Sequence, residues 1–556
     1  MSLDETYDRI LLGISRERQE YAQRLLHCLS ESIRPLRADE LAEILAIQFD
    51  TGTLPKYDVN WRPEDAEEAV LSACSSLITI VDMNTLRVVQ FSHFSVKEYL
   101  SSDRLAARKG LSLYHILPQS AHTILAQASL SVLLALGDLV DKEKMKNFPL
   151  AIYAARYWVD HAQSDNVFSS IKLATEQLFD PAKPHFPAWV WIYDVDFGFR
   201  EIMFDARPTP PKASPLYYAT LCGLRDLVEY LVVTYPRDVN ARGGLYVTPL
   251  HAAVVKGNVD VMVFLLEHGA DVAAVDGEGF TPLYEASRRA RFDMMSLLFD
   301  HHADVNSQDK NGRTALLRSS FERELEVARV LLRHGAATDI VDMEGFTPLI
   351  AASRHGHLDI ARLLLENGAA VDLQDHYGWT PLWSATRYGH PNIVRLLLES
   401  GAVVDLQDTS GWSPLTAAAY FGLLDVARLL LESGAAVDLQ DGRGGTPLFS
   451  ASENGHLDAV RLLIQNGASV DARNNLGMTP LMIASEKGHL EVVRLLLENG
   501  ATVDSHENYR QTPLSLASGN GRLDVVRLLL QSGATVDYSL DGSGASLSPS
   551  RCCATV

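Results

Sequence analysis

The motif Thr-Pro-Leu, or a close variant of it, starts at Thr248, Thr281, Thr314, Thr347, Thr380, Ser413, Thr446, Thr479 and Thr512, a constant step of 33 residues without insertion. A degenerate further copy, Ser214-Pro215-Leu216, lies 34 residues before the first. A chain built this way cannot fold around one central core, because each unit finds its neighbours at fixed sequence distance and buries its apolar face against them.

The unit from Asp375 to Asp405 shows the local chemistry. Thr380 is placed to cap a helix whose first residue is Pro381, where the missing N–H costs nothing. Leu382 and Ala385 face the neighbouring unit, and Gly389 ends the helix in the left-handed region. A second helix, 391–399, carries Ile393, Val394, Leu396, Leu397 and Leu398 before Gly401. The residues from Val404 into the next unit, as far as the counterpart of Trp379, form a projecting turn with Asp and Gly at fixed offsets. The pattern D-x-x-G-x-T-P-L-x-x-A-x-x-x-G-x-L-D-x-x-R-L-L-L-x-x-G-A-x-V-D resembles the ankyrin repeat over 214–537. The fold class read from it is mainly α: an ankyrin-repeat solenoid of about ten repeats, preceded by a winged-helix-like domain and a helical linker region.

Departures from the pattern mark particular places. The turn glycine is replaced by Tyr246 in the first regular unit and by Arg510 in the last. His251 alone occupies the fourth position of the Thr-Pro-Leu-His consensus, so most units lack its hydrogen bond. The pair His301-His302 falls where His268-Gly269 stands one unit earlier and reads as a helix end, not a metal site. The last outer helix, 523–530, keeps an interior type of apolar face, as in an array that continues or is covered by another chain.

Before the repeats, residues 17–32, 35–47 and 63–74 have helical spacing, and Leu77–Val81 and Leu86–Phe91 read as two strands around Asp82-Met83-Asn84-Thr85. Three helices and a hairpin suggest a winged helix. The stretch Val89-Gln90-Phe91-Ser92-His93-Phe94-Ser95-Val96-Lys97-Glu98-Tyr99-Leu100 resembles the strand and helix that close the winged-helix region of fungal NACHT nucleotide-binding proteins. The segment Leu3 to Leu11 resembles the stretch directly after their NTPase domain, and 106–205 resembles the helical region that joins their winged helix to an ankyrin array. The expected divisions are 1–105 winged-helix-like, 106–210 helical linker and cap, 211–540 repeats and 541–556 tail, with Pro208, Pro210 and Pro211 at the hinge. Trp189-Val190-Trp191-Ile192-Tyr193 reads as core packed on the first degenerate repeat.

The resemblance implies an NLR-like (nucleotide-switched receptor) protein, but the sequence departs from it at the decisive motif. Hydrolysis in NACHT proteins needs a P-loop, G-x-x-x-x-G-K-[ST], and the dipeptide Gly-Lys occurs nowhere. His93, at the place where related switch proteins touch a bound diphosphate, is expected to make a structural or interdomain hydrogen bond instead. An upstream P-loop domain completing an NTPase stays open as the alternative reading.

Composition excludes other classes. A net charge of −21, from 49 Lys and Arg against 70 Asp and Glu, repels phosphate backbones and argues against nucleic acid. The most apolar stretch, 122–140, is broken by His122, Gln127 and Asp138, so no membrane span is expected. Five scattered cysteines fit a reducing, cytoplasmic setting, and Cys28, Cys74 and Cys222 read as core thiols without zinc spacing. No G-x-S-x-G elbow or converging acid–base set is visible, so neither enzyme activity nor cofactor is expected. Cys553-Ala554-Thr555-Val556 formally fits a prenylation box beside Cys552, with only Arg551 basic nearby and Thr a poor second aliphatic residue; a membrane-tethered scaffold is a third reading.

The expected partner is therefore a protein, bound on the concave side where the turns and the inner-helix ends project. Read off by register, that side is aromatic at mid-array. It presents Phe346 and His355 in one unit, then His376, Tyr377, Trp379, Arg387 and Tyr388, then Trp412, Tyr420 and Phe421. Exposed Trp, Tyr and Arg are the residues of binding hot spots. The plainer alternative has Trp379 and Trp412 stacking on each other along the turns.

Overall fold

A computed structural model describes residues 3–49, 54–83, 86–137, 141–197 and 211–536. Asn84, Thr85, Pro208, Pro210 and the tail with Cys552 and Cys553 lie outside the described residues. The chain divides into two compact units, Met1–Gly277 and Glu278–Val556.

The first unit opens with a helical cluster and a wing. Helices Leu3–Leu12, Arg16–Glu31, Ala38–Glu43 and Ala66–Cys74 precede an antiparallel hairpin in which Ile78–Met83 pairs with Leu86–Phe91, Ile78 opposite Phe91. The second expected helix, 35–47, is shorter, because Leu36 and Arg37 are drawn out beside the wing: Val89 N–H donates to the Leu36 carbonyl at 2.9 Å and Arg37 bridges Val88. The third starts at Ala66, not Pro63, because the Asp65 carboxylate accepts the Glu67 and Glu68 N–H groups at 3.0 and 2.9 Å and caps it there. A two-residue pairing of Ile47–Gln48 with Lys56–Tyr57 had no sequence signal.

Polar groups buried in this unit are paired across its elements. Glu40 takes both arms of Arg34, at 2.8 and 2.6 Å, and the Arg37 N–H. Asp8 accepts from Tyr99 and pairs with Arg108. Glu43, wholly buried, accepts from Tyr57 Oη at 2.9 Å and from the Leu150 N–H at 2.5 Å; burial pushes its carboxyl up to about 7. Burial likewise pushes the Cys74 and Cys222 thiols up to about 12, as inert core thiols.

After the wing come helices Pro118–Ala135, Ala151–Ala162, Phe168–Leu178 and His185–Ile192. Of the run expected as core, Trp189, Val190 and Ile192 are buried and Trp189 meets the first repeat, while Trp191 and Tyr193 are half-buried. Trp189 is fully buried and donates its indole N–H to the Ala155 carbonyl at 2.9 Å; Phe186 and Trp189 set their rings edge-on to Tyr218, at 5.5 and 6.1 Å between centroids. Tyr217 adds a 2.6 Å bond to Asp196.

From Pro215 onward the elements are paired helices, one inner and one outer per repeat, with inner helices such as Pro381–Arg387 and Pro414–Phe421 and outer helices such as Pro391–Glu399 and Leu424–Glu432. In every repeat from Ser214 to Thr512 the Ser or Thr hydroxyl accepts the N–H three residues on, as the Thr380–Trp383 bond of 3.0 Å illustrates. Gly389 (φ 72°) comes after its inner helix in the left-handed region, and His302 (φ 62°) takes the conformation of Gly269, confirming that the His pair closes a helix. His251 bonds Thr248 Oγ1 at 2.8 Å; elsewhere Thr416 and Ser515 replace it with hydroxyl contacts.

Candidate partner-binding surface

Within the second unit, the candidate surface stands on three ladders of hydrogen bonds that repeat from one unit to the next. At the turns, Asp375 Oδ1 accepts the Tyr377 and Trp379 N–H groups, both at 2.8 Å, and Asp309, Asp342, Asp408 and Asp441 do the same in their repeats. Successive turns are laced together: His376 N–H donates to the Glu344 carbonyl at 3.2 Å and Thr409 N–H to the Tyr377 carbonyl at 3.0 Å. At the loops, Asp372 and Asp405 accept the N–H groups of Val403 and Ala436 in the next repeat.

The third ladder escaped the sequence reading. The histidine that starts an outer helix reaches back one repeat, His357 to the Phe321 carbonyl at 3.1 Å, His390 to Arg354 at 3.2 Å, His456 to Tyr420 and His489 to Glu453 at 3.0 Å each. The signal was the dipeptide Gly-His recurring at Gly356-His357, Gly389-His390, Gly455-His456 and Gly488-His489. A Cβ on Gly422 would lie 2.6 Å from the His456 ring, so the glycine also admits the next histidine. Leu423 occupies the histidine position in one repeat and offers no donor to the Arg387 carbonyl above it. The bonds fix the carbonyls of Phe321, Arg354 and Tyr420 near the ends of the inner helices that flank the candidate side chains.

On this scaffold the candidate residues separate. Phe346 is corrected: only 3% exposed, it packs with Leu317, Ile350, Ala351 and Phe321, because the turn residue before the capping threonine folds back over the preceding inner helix. Trp379 is half-buried and stacks on Trp383, 4.3 Å between centroids and 19° between planes, while Trp412 tilts against Tyr420 at 4.9 Å. Each tryptophan thus pairs inside its own repeat, and the stacking of Trp379 on Trp412 is absent among the described residues. Trp383, buried, donates its indole N–H to the Trp412 carbonyl at 3.2 Å and ties the two turns.

Tyr377 (54% exposed) and Tyr388 (41%) are open, as are His355 and His376; Arg387, Tyr420 and Phe421 are half-buried. Arginine joins them across repeats. Arg354 lies 5.3 Å from the ring centroids of both Phe346 and Tyr388, and Arg387 lies 5.8 Å from Tyr388 and 3.8 Å from Phe421. Phe421 in turn meets Tyr420 edge-on at 4.9 Å. Arg354 was not singled out from the sequence, because its role depends on a ring 34 positions away. Burial, with His357 and Arg354 beside it, holds His355 below the ordinary imidazole value, and burial raises the Asp375 carboxyl against its two N–H bonds.

The 33-residue helix pairs, their capped starts and laced turns agree with the family model described as ankyrin repeats, which matches six overlapping stretches from 216–309 to 448–539, more than half of the chain. The chain belongs to the ankyrin-repeat family. Ankyrin arrays are protein-interaction modules, and here the array carries an Arg–aromatic stripe. Ahead of the ankyrin repeats, residues 7–112 match the winged helix domain of GPI inositol-deacylase. Azaphilone pigments biosynthesis cluster protein L of Monascus ruber is 33% identical over 285 residues, 48% of this chain and 59% of that protein, so the chain spans about three fifths of that relative's length. Alpha-latrocrustotoxin-Lt1a of Latrodectus tredecimguttatus is 42% identical over 57 residues, 10% of this chain and 4% of the toxin.

His93 makes its bond at home: it caps the helix Phe94–Leu100, with Nδ1 2.6 Å from Ser95 Oγ, which also contacts Tyr7 Oη at 2.7 Å. No helix among the described residues is long and apolar enough to cross a membrane.

Proposed function

We propose that this chain is a non-catalytic recognition protein that holds a protein partner on the concave side of its ankyrin array, with Tyr377, Arg387, Tyr388, Trp412, Tyr420 and Phe421 at the centre. The observation that carries this reading is the continuity of the stripe: Arg354, Tyr388, Arg387, Phe421, Tyr420 and Trp412 touch in sequence across three repeats, with Tyr388 left open. Such side chains are held rigid before binding, so they lose little entropy when a partner arrives. Affinity capture from extract of the source cells, comparing the chain with a Tyr388→Ala, Trp412→Ala, Tyr420→Ala variant of unchanged circular dichroism, tests it. Partners lost with the variant are the expected result; partners retained by it overturn the assignment.

The wider reading is an NLR-like recognition protein of the cytoplasm, with domain limits near residues 105 and 210. Support for it comes from the order winged helix, helical region, ankyrin array, and from the similarity to a fungal cluster protein. A transcript joining a P-loop domain to this chain, and nucleotide hydrolysis by its product, would make the chain part of a switched NTPase instead.

A further inference from the structure

The stripe has a charge of its own. Four arginines on its N-terminal flank are paired from within: Arg288 and Arg289 share the buried Glu285 at 2.8 and 2.6 Å, Arg313 faces Asp342 at 3.4 Å and Arg318 meets Glu324 at 2.8 Å. Arg354 and Arg387 form no ion pair among the described residues. Both instead rest on aromatic rings, Arg354 between Phe346 and Tyr388, Arg387 between Tyr388 and Phe421. In a chain of net charge −21, two neighbouring guanidinium groups outside any ion pair at mid-array stand out by sign, with Asp375 the buried carboxyl that feels Arg354.

A guanidinium held against ring faces keeps its N–H donors in its own plane, and that edge matches the two oxygens of a carboxylate. Both groups lie beside the same Tyr388 ring, so their charges are no more than about 11 Å apart. An extended peptide advances about 3.3 Å per residue and puts alternate side chains on one face, so carboxylates two positions apart, about 6.6 Å, fall within that limit and can meet both groups. At the same inner-helix register, residues 288, 321, 354, 387, 420, 453 and 486 run Arg, Phe, Arg, Arg, Tyr, Glu, Glu. Past Tyr420 the polarity therefore reverses, and Glu453 and Glu486 would repel a uniformly acidic ligand such as a nucleic acid.

We infer that the ankyrin stripe takes an extended acidic peptide segment of its partner, with side-chain carboxylates on Arg354 and Arg387 and an apolar side chain against Tyr420 and Phe421. The inference rests on the recognition reading above and gives its partner a chemistry. Electrostatic complementarity of this kind selects the partner and sets its direction on the array.

The test is selection of a random dodecapeptide library, displayed on phage, on the full chain. Chosen peptides are then titrated against the chain, against Arg354→Gln/Arg387→Gln, and against Arg395→Gln, which removes an exposed arginine from an outer helix. The expected result is enrichment of Asp or Glu near an apolar residue, with affinity at least about tenfold weaker in the double variant and unchanged in Arg395→Gln. Neutral or basic peptides, equal loss with Arg395→Gln, or no enrichment would each overturn the acidic-peptide assignment. Neutral peptides that bind the chain but not the Tyr388→Ala, Trp412→Ala, Tyr420→Ala variant would overturn it while leaving the recognition reading intact. Thermal unfolding of each variant within about 3 °C of the parent ensures that lost binding reports the charge.

Discussion

The guanidinium carbon of Arg387 sits 3.8 Å from the ring centroid of Phe421 in the next repeat, and the same arginine lies 5.8 Å from the ring of Tyr388 beside it. The contact couples two repeats as well as shaping the surface. A double-mutant cycle with Arg387→Met and Phe421→Leu, read by urea unfolding, is expected to show a coupling of about 0.5–1 kcal/mol, the size of a half-exposed cation–π contact. A coupling within error of zero would mean that the arginine is held by the partner site's needs alone.

The histidine ladder breaks at Leu423. Leu423→His should restore the bond to the Arg387 carbonyl and raise the stability of the array by about 0.5–1 kcal/mol, and His456→Ala should lower it by about 1 kcal/mol through loss of the bond to Tyr420. Urea midpoints at constant slope check both.

Arg323 (φ 61°) and Arg510 (φ 66°) hold the left-handed conformation that glycine takes at the same register in other repeats. An L side chain there costs about 1–2 kcal/mol, part of which glycine returns through its freer unfolded chain. Arg323→Gly and Arg510→Gly are each expected to stabilise by about 0.5–1 kcal/mol in thermal unfolding. Destabilisation would show that the arginine side chain contributes more than its backbone costs.

Glu43 and His161 make the first unit pH-sensitive in opposite directions. Burial raises the Glu43 carboxyl to about 7, so the folded state binds its proton more tightly than the unfolded state, and stability falls as pH rises from about 4.5 to 7. Burial, reinforced by His122, lowers His161 to about 3; the unfolded state then binds the extra proton, and stability falls as pH drops below about 6.5. Denaturant unfolding from pH 5 to 8 is expected to lose stability between pH 5 and 7 more steeply for the parent than for Glu43→Gln, whose carbonyl can accept from the Leu150 N–H while its NH2 donates to Tyr57 Oη, without an ionisation to suppress. Identical profiles would show that Glu43 stays charged throughout.

The repeat architecture was open to reading because each of its causes is local. Thr380 caps its own helix, Pro381 sits where no N–H is needed, Gly389 turns the chain, and a constant 33-residue step repeats all three. The winged helix was legible in outline for the same reason, though Pro35 and Pro63 misplaced two helix starts that the wing strand and Asp65 decide. Tertiary structure alone settled the surface. Whether an aromatic on this side is a contact or part of the core depends on what its own and the preceding repeat place against it: Leu317 and Phe321 of the preceding repeat bury Phe346, Trp383 of the same repeat claims Trp379, and Tyr388 stays open because Arg354 and Arg387 flank it without covering it. The His ladder and the Arg–aromatic stripe join residues 34 to 36 positions apart, a separation that becomes contact only when one helix pair stacks on the next.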